Sequence, residues 1–212
     1  MVDVAGARVV AILTRAPSAG GKSRLFAALG RPSDPALLSA LLLDTVDGAS
    51  VPDVARVILV EPAAACDEVR RIAPHVDVRP QTTGSLGVRM QSAMRDLFDR
   101  GAAAVAIVGS DLPDLEPRVV ADAFSALDAD PSLLVLGPAR DGGYYLIAAT
   151  RTPDVFDGID WGSTQVLEQT RTAAADRGWR VRLLAPMDDV DVPEVLTRVT
   201  ARRTASWVEE HL

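Results

Sequence analysis

Short apolar runs alternate with longer amphipathic stretches along this chain, and the alternation leaves few folds open to it. Val57-Ile58-Leu59-Val60 is a continuous apolar run, and Ala103–Val108 is another. A strand whose successive side chains are all apolar has to be covered on both faces, because neighbouring residues point to opposite sides. Strands are therefore expected at Arg8–Thr14, Arg56–Glu61, Val76–Arg79, Ala103–Val108, Leu133–Gly137, Tyr144–Ala149 and Trp179–Leu184. Between them, helical spacing marks Pro35–Gly48, Ala63–Ala73, Leu86–Arg100, Arg118–Leu127 and a stretch from Ser163 to Asp176. Ser163 reads as the cap of that last stretch. Asp191 reads as the cap of a final helix with Pro193 in its first turn, and Asp114 as the cap of the helix after it. The strand–helix rhythm implies an α/β fold with a mostly parallel sheet between two helical layers. The turn Asp141-Gly142-Gly143 implies an antiparallel excursion at Tyr144–Ala149. With 212 residues the chain fits one domain, 1–212. In such sheets ligands bind beyond the carboxyl ends of the strands.

Charge and composition narrow the chemistry. The formal net charge is −7. An acidic surface repels phosphate backbones, which argues against a nucleic-acid partner and requires a local cationic pocket or a metal for any phosphate-bearing ligand. Cys66 is the single cysteine, and His75 and His211 are the only histidines. A disulfide framework is thereby excluded and a thiolate or imidazole metal site nearly so, and Cys66 reads as a small buried hydrophobe. No apolar run is long enough to span a bilayer, and no secretory leader is evident, so the expected location is cytoplasmic with no membrane partner. The cations are 21 arginines and one lysine, Lys22. Lysine is a compact, mobile point charge rather than a rigid fork, and its setting draws attention to it.

That setting is Arg15-Ala-Pro-Ser-Ala-Gly-Gly-Lys22-Ser-Arg24-Leu25, directly after the first strand. Small residues let backbone N–H groups approach an anion, and a following helix offers its positive end. The spacing is not that of a P-loop, and by spacing alone a glycine turn with solvated charges is the commoner reading. Gly109-Ser110-Asp111-Leu112-Pro113-Asp114 follows the most apolar strand and puts Asp111 where a hard cation could meet phosphate oxygens. Asp188-Asp189-Val190-Asp191 places three carboxylates in four residues, which repel one another unless a cation intervenes. Gly137 to Tyr145 brings two glycines ahead of two tyrosines, whose faces suit a sugar or base and whose hydroxyls could bond it. Trp161, ahead of Gly162-Ser163-Thr164, could line a pocket or simply pack.

In chain order, six segments resemble the arsenosugar-biosynthesis-type glycosyltransferase family of the nucleotide-diphospho-sugar transferase superfamily. They are Ala16-Pro17…Lys22-Ser-Arg-Leu25, Gly84-Ser-Leu-Gly87-Val-Arg89-Met90, Gly109-Ser-Asp-Leu-Pro-Asp-Leu115, Gly137-Pro-Ala-Arg-Asp-Gly-Gly-Tyr-Tyr-Leu-Ile147, Phe156-Asp-Gly-Ile-Asp-Trp161-Gly-Ser-Thr164 and Asp189-Val-Asp-Val-Pro-Glu194. A more distant similarity links the chain to phospholactate and phosphoenolpyruvate guanylyltransferases. The resemblance implies a GT-A-like fold and a metal-dependent transferase. Lys22 and Arg24, with Arg15, would meet nucleotide phosphates. Asp111 and Asp191 would hold Mg2+ or Mn2+, with Asp189 in reserve. Gln81, Gly84 and Ser85 resemble a base-reading segment, and Gly142, Gly143, Tyr144 and Ser163 would border the sugar or acceptor. The chain departs from the family at Ala19, Ser23 and Val192, where Pro, Thr and Thr are usual, and its first loop is one residue short.

The partners so implied are a nucleotide or nucleotide-sugar donor and a small-molecule acceptor. The family name points first to glycosyl transfer. The cationic loop suits the alternative, nucleotidyl transfer from an NTP to a small phosphorylated acceptor with release of pyrophosphate. A nucleotide-binding protein without catalysis is a third reading, against which Lys22, Asp111 and Asp191 speak.

Overall fold

A computed structural model describes residues 3–212. One seven-stranded sheet runs through it in the order β3-β2-β1-β4-β6-β5-β7. The strands are β1 (Arg8–Arg15), β2 (Val54–Glu61), β3 (Asp77–Pro80), β4 (Ala104–Gly109), β5 (Leu133–Pro138), β6 (Tyr144–Ala149) and β7 (Arg180–Leu183). Six are parallel. β6 alone is reversed, antiparallel to both β4 and β5, as the Asp-Gly-Gly turn before it predicts.

The helices are α1 (Ser23–Ala28), α2 (Pro35–Gly48), α3 (Cys66–Ile72), α4 (Leu86–Asp99), α5 (Pro117–Ala129), α6 (Val166–Asp176), α7 (Pro193–Leu196) and α8 (Arg202–His211). Alternate residues of each strand feed two cores. Val10 and Ile12 of β1 pack with α2, α3 and α5, whereas Val9 and Ala11 pack with α4 and α6. Burial on both faces is what the unbroken apolar runs require. Cys66 lies in the first core, and burial raises its thiol pKa. A smaller cluster joins α1, α2, α7 and α8 through Leu25, Phe26, Leu41 and Trp207.

The end of α2 shows how closely the layers approach. A Cβ on Gly48 would stand 2.0 Å from the carbonyl oxygen of Leu115, on the segment that leads into α5.

Three capping expectations are corrected. α6 starts at Val166, and the hydroxyl of Ser163 instead accepts from the N–H of Gln165 at 3.2 Å in the preceding turn. Val192 holds the cap position of α7, which leaves the Asp191 carboxylate free for another role. Glu116 holds the cap position of α5. Asp114 caps a different helix, accepting from Thr200 and Ala201 at the start of α8. The last helix of the sequence reading is two: the four-residue α7 and the ten-residue α8.

The chain climbs β1, β2 and β3 in one direction, then returns through α4 to β4 on the other side of β1. The connections after β1 and β4 head for opposite ends of the sheet, β1 leading to β2 and β4 leading to β5. A crevice therefore opens where the carboxyl ends of the two central strands lie side by side.

Candidate active site

Lys22 ends the loop after β1 and holds a left-handed backbone, φ 51°, as it turns the chain into α1. Its ammonium bonds Asp111 of the loop after β4 and Asp191 of the loop before α7. Burial works against the charged form of Lys22. The charges of Asp111 and Asp191 and the hydrogen bonds to them outweigh it, so the pKa rises and the ammonium stays charged. The two acidic loops are tied by backbone as well, with the N–H of Val190 donating to the Asp111 carbonyl at 3.1 Å.

Asp189 completes the group. One carboxylate oxygen from each of Asp111, Asp189 and Asp191 lies within 4.8 Å of the others, the one such trio among the described residues. Burial, and the charge of Asp111 next to it, push the Asp189 carboxyl up to about 6. Three hard oxygen ligands with one ammonium between them fit a small divalent cation: the donors are of the right type, and excess negative charge is left to neutralise. Sequence reading held Asp189 in reserve; the fold brings it in as a full member of the cluster. Asp111 is aimed by a close approach, because a Cβ on Gly109 would lie 2.6 Å from its Oδ1.

Two cavities meet over this cluster. The first, about 480 Å3, runs along the loop after β1 and is lined by Arg15, Gly20, Gly21, Lys22, Arg24, Glu61, Gln81 and Arg89. The second, about 550 Å3, lies toward β6 and is lined by Met90, Asp141, Gly143, Tyr144, Trp161, Ser163 and Asp189. Leu13, Arg24, Leu86, Gly109, Asp111 and Asp191 border both.

Of the expected ligand-facing residues, Arg15, Lys22, Arg24 and Gln81 face the first cavity, and Gly143, Tyr144 and Ser163 the second. Gly84, Ser85 and Gly142 line neither. Ser85 caps α4, its hydroxyl accepting from the N–H of Val88 at 3.4 Å. The Gln81 amide is engaged within the protein, donating to the carbonyls of Thr14 and Leu59 at 2.9 and 2.7 Å. Its oxygen accepts from Arg89, which also pairs with Glu61 at 2.6 Å. Neither Glu61 nor Arg89 is singled out by the sequence reading: a glutamate ending a strand and an arginine in the first turn of a helix carry no signal until the strand order puts them together.

The tyrosine hydroxyls expected to bond a ligand are turned inward. Tyr145 donates to the Ala185 carbonyl at 3.0 Å. The Tyr144 hydroxyl is buried beside Thr170, and its pKa is raised by burial. The ring of Tyr144 is what the cavity meets, set edge-on to Trp161 with centroids 6.3 Å apart.

Gly142 serves the loop. It holds φ +96°, and a Cβ there would stand 2.1 Å from the Thr164 carbonyl oxygen. Gly142→Ala is expected to lower stability by about 2 kcal/mol, from the left-handed backbone and the overpacking. Thermal melts would check this; an unchanged midpoint would mean that the loop tolerates the displacement.

Comparison with known proteins agrees with this architecture. A phosphoenolpyruvate guanylyltransferase of Rubrobacter xylanophilus is 31% identical over 188 residues, covering 86% of this chain and 88% of the relative. A candidate nucleotide-diphospho-sugar transferase from Desulfovibrio desulfuricans G20 superposes with a TM-score of 0.83 at 26% identity, over 97% of this chain and 96% of that one. CMP:2-keto-3-deoxy-manno-octonic acid synthetase, complexed with CTP, shares the fold at a TM-score of 0.58 and 16% identity, over 97% and 100% of the two chains. These neighbours identify the fold as that of the nucleotide-diphospho-sugar transferases. Residues 45–163 match the family described as "Uncharacterized protein conserved in bacteria (DUF2064)", and the chain belongs to that family.

Proposed function

We propose that the protein is a nucleotidyltransferase that joins an NTP to a small phosphorylated acceptor and releases pyrophosphate. The observation that carries this reading is the cationic loop along the first cavity. Arg15, Lys22 and Arg24 line it with Gly20 and Gly21, so charge and close backbone approach are available for a triphosphate chain. The guanylyltransferase relative supports the same chemistry. The nucleotide phosphates lie along this loop, with the α-phosphorus at the border of the two cavities.

Asp111, Asp191 and Asp189 would hold Mg2+ or Mn2+, which would supply neutralisation of phosphate charge when bound. Lys22 adds a positive charge at the same border and stabilises the charge that builds on the departing pyrophosphate. Arg24 borders both cavities and holds the donor phosphates at their junction. A phosphate oxygen of the acceptor then forms the new bond to the α-phosphorus, and the bond to the β-phosphate oxygen breaks as pyrophosphate leaves. No covalent nucleophile of the protein is required.

Glu61 and Arg89 also line the first cavity, where the base would meet them. A carboxylate suits the N1–H and amino donors of guanine, and a guanidinium suits its O6 and N7 acceptors. GTP is therefore the expected donor.

A thermal-shift panel with Mn2+, the four NTPs, the nucleoside diphosphates and nucleotide sugars tests this. A ligand at about 100 times its Kd adds roughly 2.7 kcal/mol of stability. The largest shift is expected with GTP, and Glu61→Gln is expected to lessen that preference. Pyrophosphate release on adding phosphorylated acceptors would complete the case. A preference for a nucleotide sugar without pyrophosphate release would favour the second reading, glycosyl transfer, which the Desulfovibrio structural neighbour supports.

A further inference from the structure

The second cavity carries a charge pattern that narrows the acceptor. Its carboxylates are Asp111, Asp141, Asp189 and Asp191, and its one lining cation is Arg24. Lys22 and a divalent cation together balance Asp111, Asp189 and Asp191. Arg24 is shared with the first cavity, where donor phosphates claim it. No cation then remains in the second cavity for a carboxylate on the acceptor, and Asp141 faces that space with its own negative charge. Trp161, Tyr144 and Met90 give the same cavity an aromatic and apolar lining. Trp161 is held in place against α4, where a Cβ on Gly87 would lie 2.9 Å from its Nε1.

We infer that Asp141 selects the acceptor, and that the second cavity takes a phosphomonoester with an uncharged, hydroxyl-bearing body and rejects one that bears a carboxylate. The acceptor's phosphate faces the acidic trio and Lys22. Its C–H faces lie on Trp161 and Tyr144, and its hydroxyls donate to Asp141. One oxygen of Asp141 accepts from the Gly143 N–H at 2.9 Å, which fixes the carboxylate and leaves its other oxygen for the ligand. The role of the acceptor phosphate and the claim of donor phosphates on Arg24 rest on the nucleotidyl-transfer reading; the position of Asp141 in the cavity does not.

The test is calorimetric titration of the full chain in Mn2+ buffer, with saturating inorganic triphosphate occupying the cationic loop, against glucose 1-phosphate, glycerol phosphate, phosphoenolpyruvate and inorganic phosphate. The hydroxyl-bearing esters should bind about tenfold tighter than phosphoenolpyruvate, the scale of one charge-assisted hydrogen bond. Asp141→Asn keeps the turn, because an amide oxygen can still accept from Gly143, and removes the charge. It should weaken the hydroxyl-bearing esters and tighten phosphoenolpyruvate, closing most of that gap. Phosphoenolpyruvate binding as tightly as the others, no ester binding better than inorganic phosphate, or an Asp141→Asn variant with unchanged preferences would each overturn the inference. Pyrophosphate release with GTP, assayed separately, judges the chemistry. Selective binding that depends on Asp141 without pyrophosphate would keep the acceptor assignment and remove nucleotidyl transfer. Turnover that is best with phosphoenolpyruvate would do the reverse.

Discussion

Replacing Asp111 by alanine is expected to lower kcat/KM by about a thousandfold, the scale of losing a group that stabilises charge in the transition state, while leaving the fold intact. Asp111 is bound to Lys22, belongs to the acidic trio, and borders both cavities. Its loss removes one of the two carboxylates that hold the ammonium in place and, in the proposed mechanism, a metal ligand. The fold should survive for two reasons. The loop is anchored by backbone, through the Asp111 carbonyl to Val190 and through the Leu112 N–H to Thr45 at 3.0 Å. Removing one of three crowded carboxylates also relieves repulsion on Asp189, which partly offsets the lost contact with Lys22. The variant should melt within a few degrees of the parent and lose the stabilisation that Mn2+ is expected to give the parent. Activity retained at low metal would sink the metal assignment, and collapse of the fold would show that the trio is structural.

The largest loss of stability is expected far from that site, at Asp44. This residue lies in α2, is 5% exposed, and receives the Thr204 N–H at 2.8 Å, the Thr204 hydroxyl at 2.9 Å and the Arg203 guanidinium at 3.0 Å. It thereby satisfies the free N–H groups that open α8. Asp44→Ala leaves a buried hydroxyl and amide without partners and removes an acid from the positive end of a helix. About 3 kcal/mol of destabilisation should follow, discounted for the half-exposed Arg203. In a chain of this length that is a fall of about 6–12 °C in melting temperature. Arg203→Ala should cost about 1 kcal/mol or less, since its side chain is 42% exposed. Equal losses in the two variants would point to the ion pair, rather than the cap, as what holds α8.

α8 also marks where sequence reading stops. Its apolar face rests on Trp207, Val208 and little else, a weak signal in ten residues. What starts the helix is Asp114 and Asp44, which are 87 and 160 residues away from their N–H partners at Ala201 and Thr204. Capping rules look only at neighbours in sequence, and so they assigned Asp114 to α5 and Asp191 to α7. The same limit hid the pairing of Glu61 with Arg89 and the use of the Gln81 amide by the carbonyls of Thr14 and Leu59.

By itself the sequence determined the sheet and its two layers, because continuous apolar runs are stable only when covered on both sides. It determined the reversal at β6 through the Asp-Gly-Gly turn. It also put Lys22, Asp111 and Asp191 each in a loop beyond a strand, where such sheets bind ligands. Only the tertiary structure decided that these three meet, that Asp189 joins them, and that two cavities share them as a border. The contacts of Lys22 span 89 and 169 residues of chain. Local propensity sets which segments become strands, but the order in which the strands lie in the sheet sets which loop ends become neighbours, and electrostatics acts between neighbours in space.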